Sequence, residues 1–320
     1  MQLRFSSEGS ARRLAEQSIR IAVIMGGISA ERDGYLEMRR NCAQALRSLG
    51  HDVVEIDATP GSVAQDLIDA KPDVVFNSLM GRWGEAGAVQ GLLEWLDLPY
   101  THSGVTASAI GMDKRATRAA YQANGLPVAP GQVVSRAALQ AGRPIDPPYV
   151  LKPVAEGSSI SIDFVWAASD PVPELPSEAG DEILVEKLVP GLDLTATVLD
   201  DRPFVVTQIE TASGVWDYQS KYSEPHARYQ SPAPIPEHIT EACLDLALKA
   251  HKALGCRCVS RTDMRWDASR NLNGFIVLET NTQPAVGYDS VTTIDQQLSS
   301  RGISLAEYRQ HLVNDASLRR

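Results

Sequence analysis

From residue 20 onward, short apolar runs alternate with amphipathic stretches, and that rhythm limits the fold more than any other feature. Ile21-Ala22-Val23-Ile24-Met25 is apolar at every position, as a strand buried on both faces must be. Gly26-Gly27 breaks it. Residues 37–49 read as an amphipathic helix, with Gly50 as its C-cap. Val53-Val54-Glu55-Ile56 and Asp73-Val74-Val75-Phe76-Asn77 are the next strands, and a helix near 87–96 leads to Pro99-Tyr100-Thr101. Strands separated by helices are joined by crossovers, so residues 20–113 are expected to form an N-terminal α/β domain around a parallel sheet. Residues 1–19 lack the apolar core of a secretory signal and are expected to be a flexible extension.

The texture changes after residue 114. Pro127, Pro130, Pro144, Pro147 and Pro148 punctuate it. The segments Tyr149–Lys152, Ile160–Val165, Ile183–Lys187 and Leu194–Leu199 then read as strands with turns such as Pro190-Gly191 between them. This predicts a central α+β unit with an antiparallel sheet over 114–203. A C-terminal unit over 204–320 is expected to hold strands near 204–210, 258–266 and 275–279, with helices at 237–254 and 304–314.

Composition narrows the function. The formal net charge is 30 − 40 = −10, which argues against a general binder of nucleic-acid backbones but not against a small anionic ligand. The four cysteines fit no common zinc spacing and suit reduced thiols in the cytoplasm. No apolar run of about 18 residues is present, so no membrane helix is expected.

Chemistry-bearing residues cluster on strand ends. Phe275-Ile276-Val277-Leu278-Glu279-Thr280-Asn281 is a buried-strand pattern ending in two oxygen donors on one face, Glu279 and Asn281. Upstream, Arg261-Thr262-Asp263 offers a third oxygen donor and a fixed positive charge. Lys152 ends the apolar strand Tyr149-Val150-Leu151-Lys152, where an ammonium needs an anion such as phosphate. Just after it, Glu156-Gly157-Ser158-Ser159 can cradle phosphate oxygens with amides and hydroxyls. Glu186 and Lys187, and Asp193 after them, can line a nucleotide, and Lys221 and Tyr222 lie in a polar loop. Taken singly, a polar strand end, a polar turn or a hairpin rim would account for each of these segments. No Walker-type P-loop is present, and Gly26-Gly27-Ile28-Ser29 lacks dinucleotide-binding spacing.

Together, these residues resemble a known family. Met25-Gly-Gly-Ile-Ser-Ala-Glu31-Arg32, Gly81-Arg-Trp-Gly-Glu85, Tyr100-Thr-His-Ser-Gly104, Met112-Asp-Lys114, Glu156–Ser159, Lys221-Tyr222, Arg261-Thr-Asp263 and Glu279-Thr-Asn281 occur in the order found in D-alanine–D-alanine ligases of the ATP-grasp superfamily. The resemblance runs from about residue 20 to 316. It implies a three-domain ATP-grasp fold with ATP held between the central and C-terminal domains. Lys114 and Lys152 would then hold phosphates, Glu186 would flank adenine and Asp193 the ribose. Asp263, Glu279 and Asn281 would bind two Mg²⁺ ions, with Mn²⁺ as a substitute. Glu31 would take the ammonium of the first amino acid, in a hydrogen-bonded group with Ser158 and Tyr222, and Arg261 would face the tetrahedral intermediate. Lys221 and Ser290, with Val291 beside them, would hold the second substrate. The implied reaction activates one amino acid as an acyl phosphate and joins it to another, for peptidoglycan precursors, in a cytoplasmic homodimer.

Departures from the family pattern cluster around the first substrate. Asp33-Gly34-Tyr35 stands where Glu-Val-Ser is usual, Met80 where histidine is usual, and Ala285 where a glycine is usual. A remodelled donor pocket with another first acid is therefore the alternative to D-alanine. A catalytically silent ATP-binding regulator is a third reading, disfavoured by the full set of metal-ligand types.

Overall fold

The computed structural model describes residues 18–27, 41–157, 161–211, 227–287 and 292–318. They fall into two compact units, one made of residues up to Val105 together with Ala285 onward, the other of Thr106–Pro284.

The first unit contains the expected parallel sheet, β1 (Arg20–Met25), β2 (Asp52–Asp57) and β3 (Val74–Asn77), in the order β2-β1-β3. The central strand β1 is buried at every residue after Arg20, as its unbroken apolar run requires. Leu67, Leu93 and Tyr100 close one side of the core. After β3 the chain makes a tight turn knotted by side chains. Asn77 Nδ2 donates to Gly84 O at 2.9 Å, Asn77 Oδ1 accepts from Leu79 N at 3.1 Å, and Glu85 Oε1 accepts from Gly81 N at 2.6 Å. Met80 is buried in this turn.

The end of the chain, from Ala285 onward, groups with this unit. Helices Thr293–Ser300 and Leu305–Asp315 each start on a capping box, Thr292/Asp295 and Ser304/Glu307. Ser317 bridges to Tyr100, and Gln310 meets His51 Nε2 at 2.7 Å.

The second unit holds two antiparallel sheets. One consists of β4 (Gly131–Ser135), β5 (Tyr149–Pro153), β6 (Asp163–Val165) and β7 (Glu182–Lys187), ordered β4-β7-β5-β6. The other consists of β8 (Leu192–Leu199), β9 (Arg202–Glu210), β10 (Arg228–Gln230), β11 (Val259–Trp266) and β12 (Phe275–Asn281), ordered β10-β9-β8-β11-β12. The chain thus changes sheet at 188–191, and the expected division at 203/204 falls inside the β8–β9 hairpin. Gly191 makes that passage feasible. Its φ is +117°, and a Cβ there would lie 2.1 Å from Trp266 O.

The helix Glu237–Leu254 has the expected bounds and stops at Gly255 in the left-handed region. Its buried residues Ile239, Cys243, Ala247, Ala250 and Leu254 recur at helical spacing and pack on the β8–β12 sheet. Leu139, Tyr149, Leu151, Ile183 and Val185 form a separate core on the smaller sheet.

Candidate active site

Strand register gathers the predicted cation ligands on one face. Asp263 lies directly opposite Glu279 and Arg261 opposite Asn281 across the β11–β12 pair. Residues opposite each other, and residues two apart, share a face, so all four side chains project together. Beyond this point the pairing steps from Asp263↔Glu279 to Met264↔Val277. Leu278 is thereby the extra residue of a β-bulge, and both Leu278 and Glu279 line one cleft. Strict alternation would have turned Leu278 away.

Asp263 is the hub of this face. It is buried, and its carboxylate accepts from Arg261 Nε at 2.9 Å, Arg261 Nη2 at 2.8 Å and Thr195 Oγ1 at 2.6 Å. Burial alone would lower the Arg261 pKa, but the adjacent Asp263 carboxylate raises it above the usual arginine value. Arg261 therefore stands as a permanent cation with its fork closed on Asp263. Next along β11, Arg265 Nη1 donates to Asp193 Oδ2 at 2.8 Å and its Nε to Val189 O at 3.1 Å, which fixes Asp193 at the cleft wall.

The smaller sheet supplies the facing charges. Lys152 Nζ meets Glu186 Oε2 at 2.8 Å, and Arg118 grips Glu186 Oε1. The anion beside Lys152 is thus a protein carboxylate, where the sequence suggested phosphate. Lys114 starts the helix Lys114–Ala123, which Asp113 caps through Ala116 N. Its ammonium donates to the Glu156 carbonyl. Burial holds its pKa below the usual lysine value; Glu279 opposes that shift, and Lys152 adds to it. Lys114 therefore feels the charges of Lys152, Glu186 and Glu279, and those three line a single space.

That space is a cleft of about 840 Å³, open mouth included, between the two sheets. Its lining combines the charged residues Lys152, Glu186, Asp193, Asp263 and Glu279 with the apolar Val150, Ile162, Phe164, Leu188, Ile209 and Leu278. A cleft lined by apolar side chains and a few fixed charges of both signs suits a flat base attached to an anionic tail.

A D-ala D-ala ligase C-terminus family model matches residues 120–314. A D-alanine–D-alanine ligase of Ruegeria pomeroyi is 50% identical, with 93% of this chain and 96% of that protein covered. Another from a Ruegeria species is 48% identical, over 94% of this chain and 97% of its own length. The chain belongs to the D-alanine–D-alanine ligase family. A Bacillus anthracis ligase solved as a complex with ATP shares the fold, with a TM-score of 0.75, 24% identity and coverage of 94% and 97%.

Against the residue roles that the D-alanine–D-alanine ligase family implies, the described residues divide clearly. The structure gathers Lys114, Lys152, Glu156, Glu186, Asp193, Arg261, Asp263, Glu279 and Asn281 in the second unit, and Gly157 beside Met112. Lys187 is different. It lines the cleft, but its ammonium donates to the carbonyls of Asp146 at 2.6 Å and Pro147 at 3.4 Å. Met80 and Ala285 belong to the first unit. Two residues on, Gly287 N donates to Asp295 Oδ1 at 2.9 Å, which anchors that loop to a helix start. Glu31, Gly34, Ser158, Ser159, Lys221, Tyr222, Ser290 and Val291 lie outside the described residues. Sequence reasoning missed Arg118 and Arg265. Both were readable, Arg118 one helical turn from Lys114 and Arg265 two residues from Asp263 on a strand.

Proposed function

We propose that the chain joins two molecules of D-alanine at the expense of ATP, through an acyl phosphate. The observation that carries this reading is near full-length identity of about half to ligases named for that reaction. Relatives this similar do not favour the remodelled-pocket or silent-regulator alternatives.

The residues present fit a metal nucleotide. Asp263, Glu279 and Asn281 are the hard oxygen donors that Mg²⁺ takes. The Asn281 amide Nδ2 is buried without a hydrogen-bond partner among the described residues, and a turned amide would present oxygen there instead. Two Mg²⁺ ions, or Mn²⁺ in their place, would be held by these three residues, and such ions supply charge neutralisation at the phosphates. Lys114 and Lys152 would hold phosphate oxygens, Asp193 would accept from ribose hydroxyls and the apolar lining would take adenine.

In this reading a carboxylate oxygen of the first D-alanine attacks the γ-phosphorus, and the bond to ADP breaks. The amine of the second D-alanine then attacks the acyl carbon, phosphate leaves, and the amine proton is lost to solvent or base. Arg261, cationic and buried, faces negative charge developing on the carbonyl oxygen. Glu31 with Ser158 and Tyr222 would orient the first substrate, in a pocket bordered by Gly34, Met80 and Ala285. Lys221, Ser290 and Val291 would seat the second. Assembly as a homodimer belongs to the same reading.

The test is direct. Incubation with ATP, Mg²⁺ and D-alanine should give D-alanyl-D-alanine by mass and one phosphate per dipeptide. ATP turnover only with a different first acid would replace this reading with the remodelled pocket, and no turnover on any amino-acid pair would end both.

A further inference from the structure

Behind the ligand face runs a chain of buried hydroxyls. Thr262 sits between Arg261 and Asp263, and Thr280 between Glu279 and Asn281, so both point away from the cleft into the core. Their hydroxyls meet at 2.9 Å, and Tyr121 Oη reaches Thr280 Oγ1 at 2.6 Å. All three side chains are buried, in a neighbourhood of Leu194, Val198, Met264 and Val277.

Burying three hydroxyls in an apolar core gains little stability, since apolar groups of the same shape would serve about as well. Hydroxyls add direction. Thr262↔Thr280 is the pair next to Asp263↔Glu279, the last pair before the bulge shifts the register. A ladder that changes register there needs something else to hold the two strands in step. Tyr121 ties that point to the helix that also carries Lys114 and Arg118. Positions 114, 118 and 121 lie on one helical face. The first donates to Glu156, the second holds Glu186 and the third meets Thr280.

We propose that Tyr121 is a positioning residue for the metal-nucleotide site. Through Thr280 and Thr262 it sets the register of the strands bearing Asp263, Glu279 and Asn281 against the helix bearing Lys114. The inference rests on the metal-nucleotide reading above and goes beyond it. Tyr121 is fully buried and is not among the residues lining the cleft.

The test is calorimetric titration of Mn²⁺ into protein saturated with a non-hydrolysable ATP analogue, with adenosine alone as a second ligand. Tyr121→Phe and Thr280→Val should each weaken Mn²⁺ uptake about tenfold, the low end for residues that orient metal ligands. Thr280→Ser, which keeps the hydroxyl, should recover most of the loss, and adenosine affinity should stay within about twofold throughout. Mn²⁺ uptake within about twofold of wild type in both hydroxyl-deleted variants, whatever their melting temperatures, would overturn the proposal. Should Tyr121→Phe not fold, the valine–serine contrast at Thr280 decides alone. If wild-type protein takes up no Mn²⁺ with the analogue, the metal-nucleotide reading itself fails.

Discussion

Glu186→Gln tests how the cleft stores charge before nucleotide arrives. Glu186 pairs with both Arg118 and Lys152, and the side chains are 7%, 13% and 13% exposed. At such burial, solvent screens little of the interaction. Removing one partner of a buried ion pair costs about 3–5 kcal/mol, because the remaining charge is left uncompensated. Glutamine keeps the shape and one acceptor, so about 3 kcal/mol is expected. ATP changes the balance. Its phosphates would give Lys152 a new anion, so saturating ATP should stabilise the variant more than wild type by roughly 1.5–3 kcal/mol, the value of a hydrogen bond to a charged group. Urea unfolding of both proteins, with and without ATP, measures each difference. A loss under about 1 kcal/mol without ATP would mean the pairs are not holding the cleft. Equal stabilisation by ATP would mean Lys152 does not pass from carboxylate to phosphate.

Three further outcomes follow from the site and its surroundings. Asp263→Asn keeps an oxygen donor but removes its negative charge and the carboxylate paired with Arg261; the Mg²⁺ concentration for half-maximal phosphate release should rise at least about tenfold. Phe164→Leu trims the apolar lining of the cleft; loss of an aromatic contact worth about 0.5–1.5 kcal/mol should raise the KM for ATP several-fold, with kcat for D-alanine unchanged in steady-state assays. His251 is buried, with Nδ1 at 2.8 Å from Ser260 Oγ and Nε2 at 2.8 Å from Asp201 Oδ1. Burial lowers its pKa, although the Asp201 hydrogen bond opposes this. The unfolded chain therefore binds the proton at higher pH than the folded one, and stability falls as pH drops below the ordinary histidine value of 6.5. His251→Gln should flatten that acid limb in melting temperatures measured against pH.

The sequence made some of this legible and hid the rest for physical reasons. β1 was readable because a strand buried on both faces needs an unbroken apolar run. The Glu237–Leu254 helix was readable because its period is clean and Gly255 stops it. The ligand types Asp263, Glu279 and Asn281 followed from alternation on strands. What alternation could not give is the bulge at Leu278, since a register shift depends on the partner strand. Nor could it show that Lys152 and Arg261 meet Glu186 and Asp263, because those pairings depend on tertiary approach and strand partnering. The sheet change at 188–191 was hidden because hairpin turns and sheet changes carry the same turn residues. Asp200-Asp201 closes a hairpin, while Pro190-Gly191 passes the chain to another sheet.

In the proposed reaction, ATP activates the first D-alanine by phosphorylating its carboxylate. D-alanine labelled with ¹⁸O in its carboxylate, ATP and Mg²⁺ would be turned over, and the released phosphate weighed by mass spectrometry. An acyl phosphate delivers one carboxylate oxygen to each phosphate, so every dipeptide should be matched by one singly labelled phosphate. Dipeptide formed with unlabelled phosphate would contradict the account.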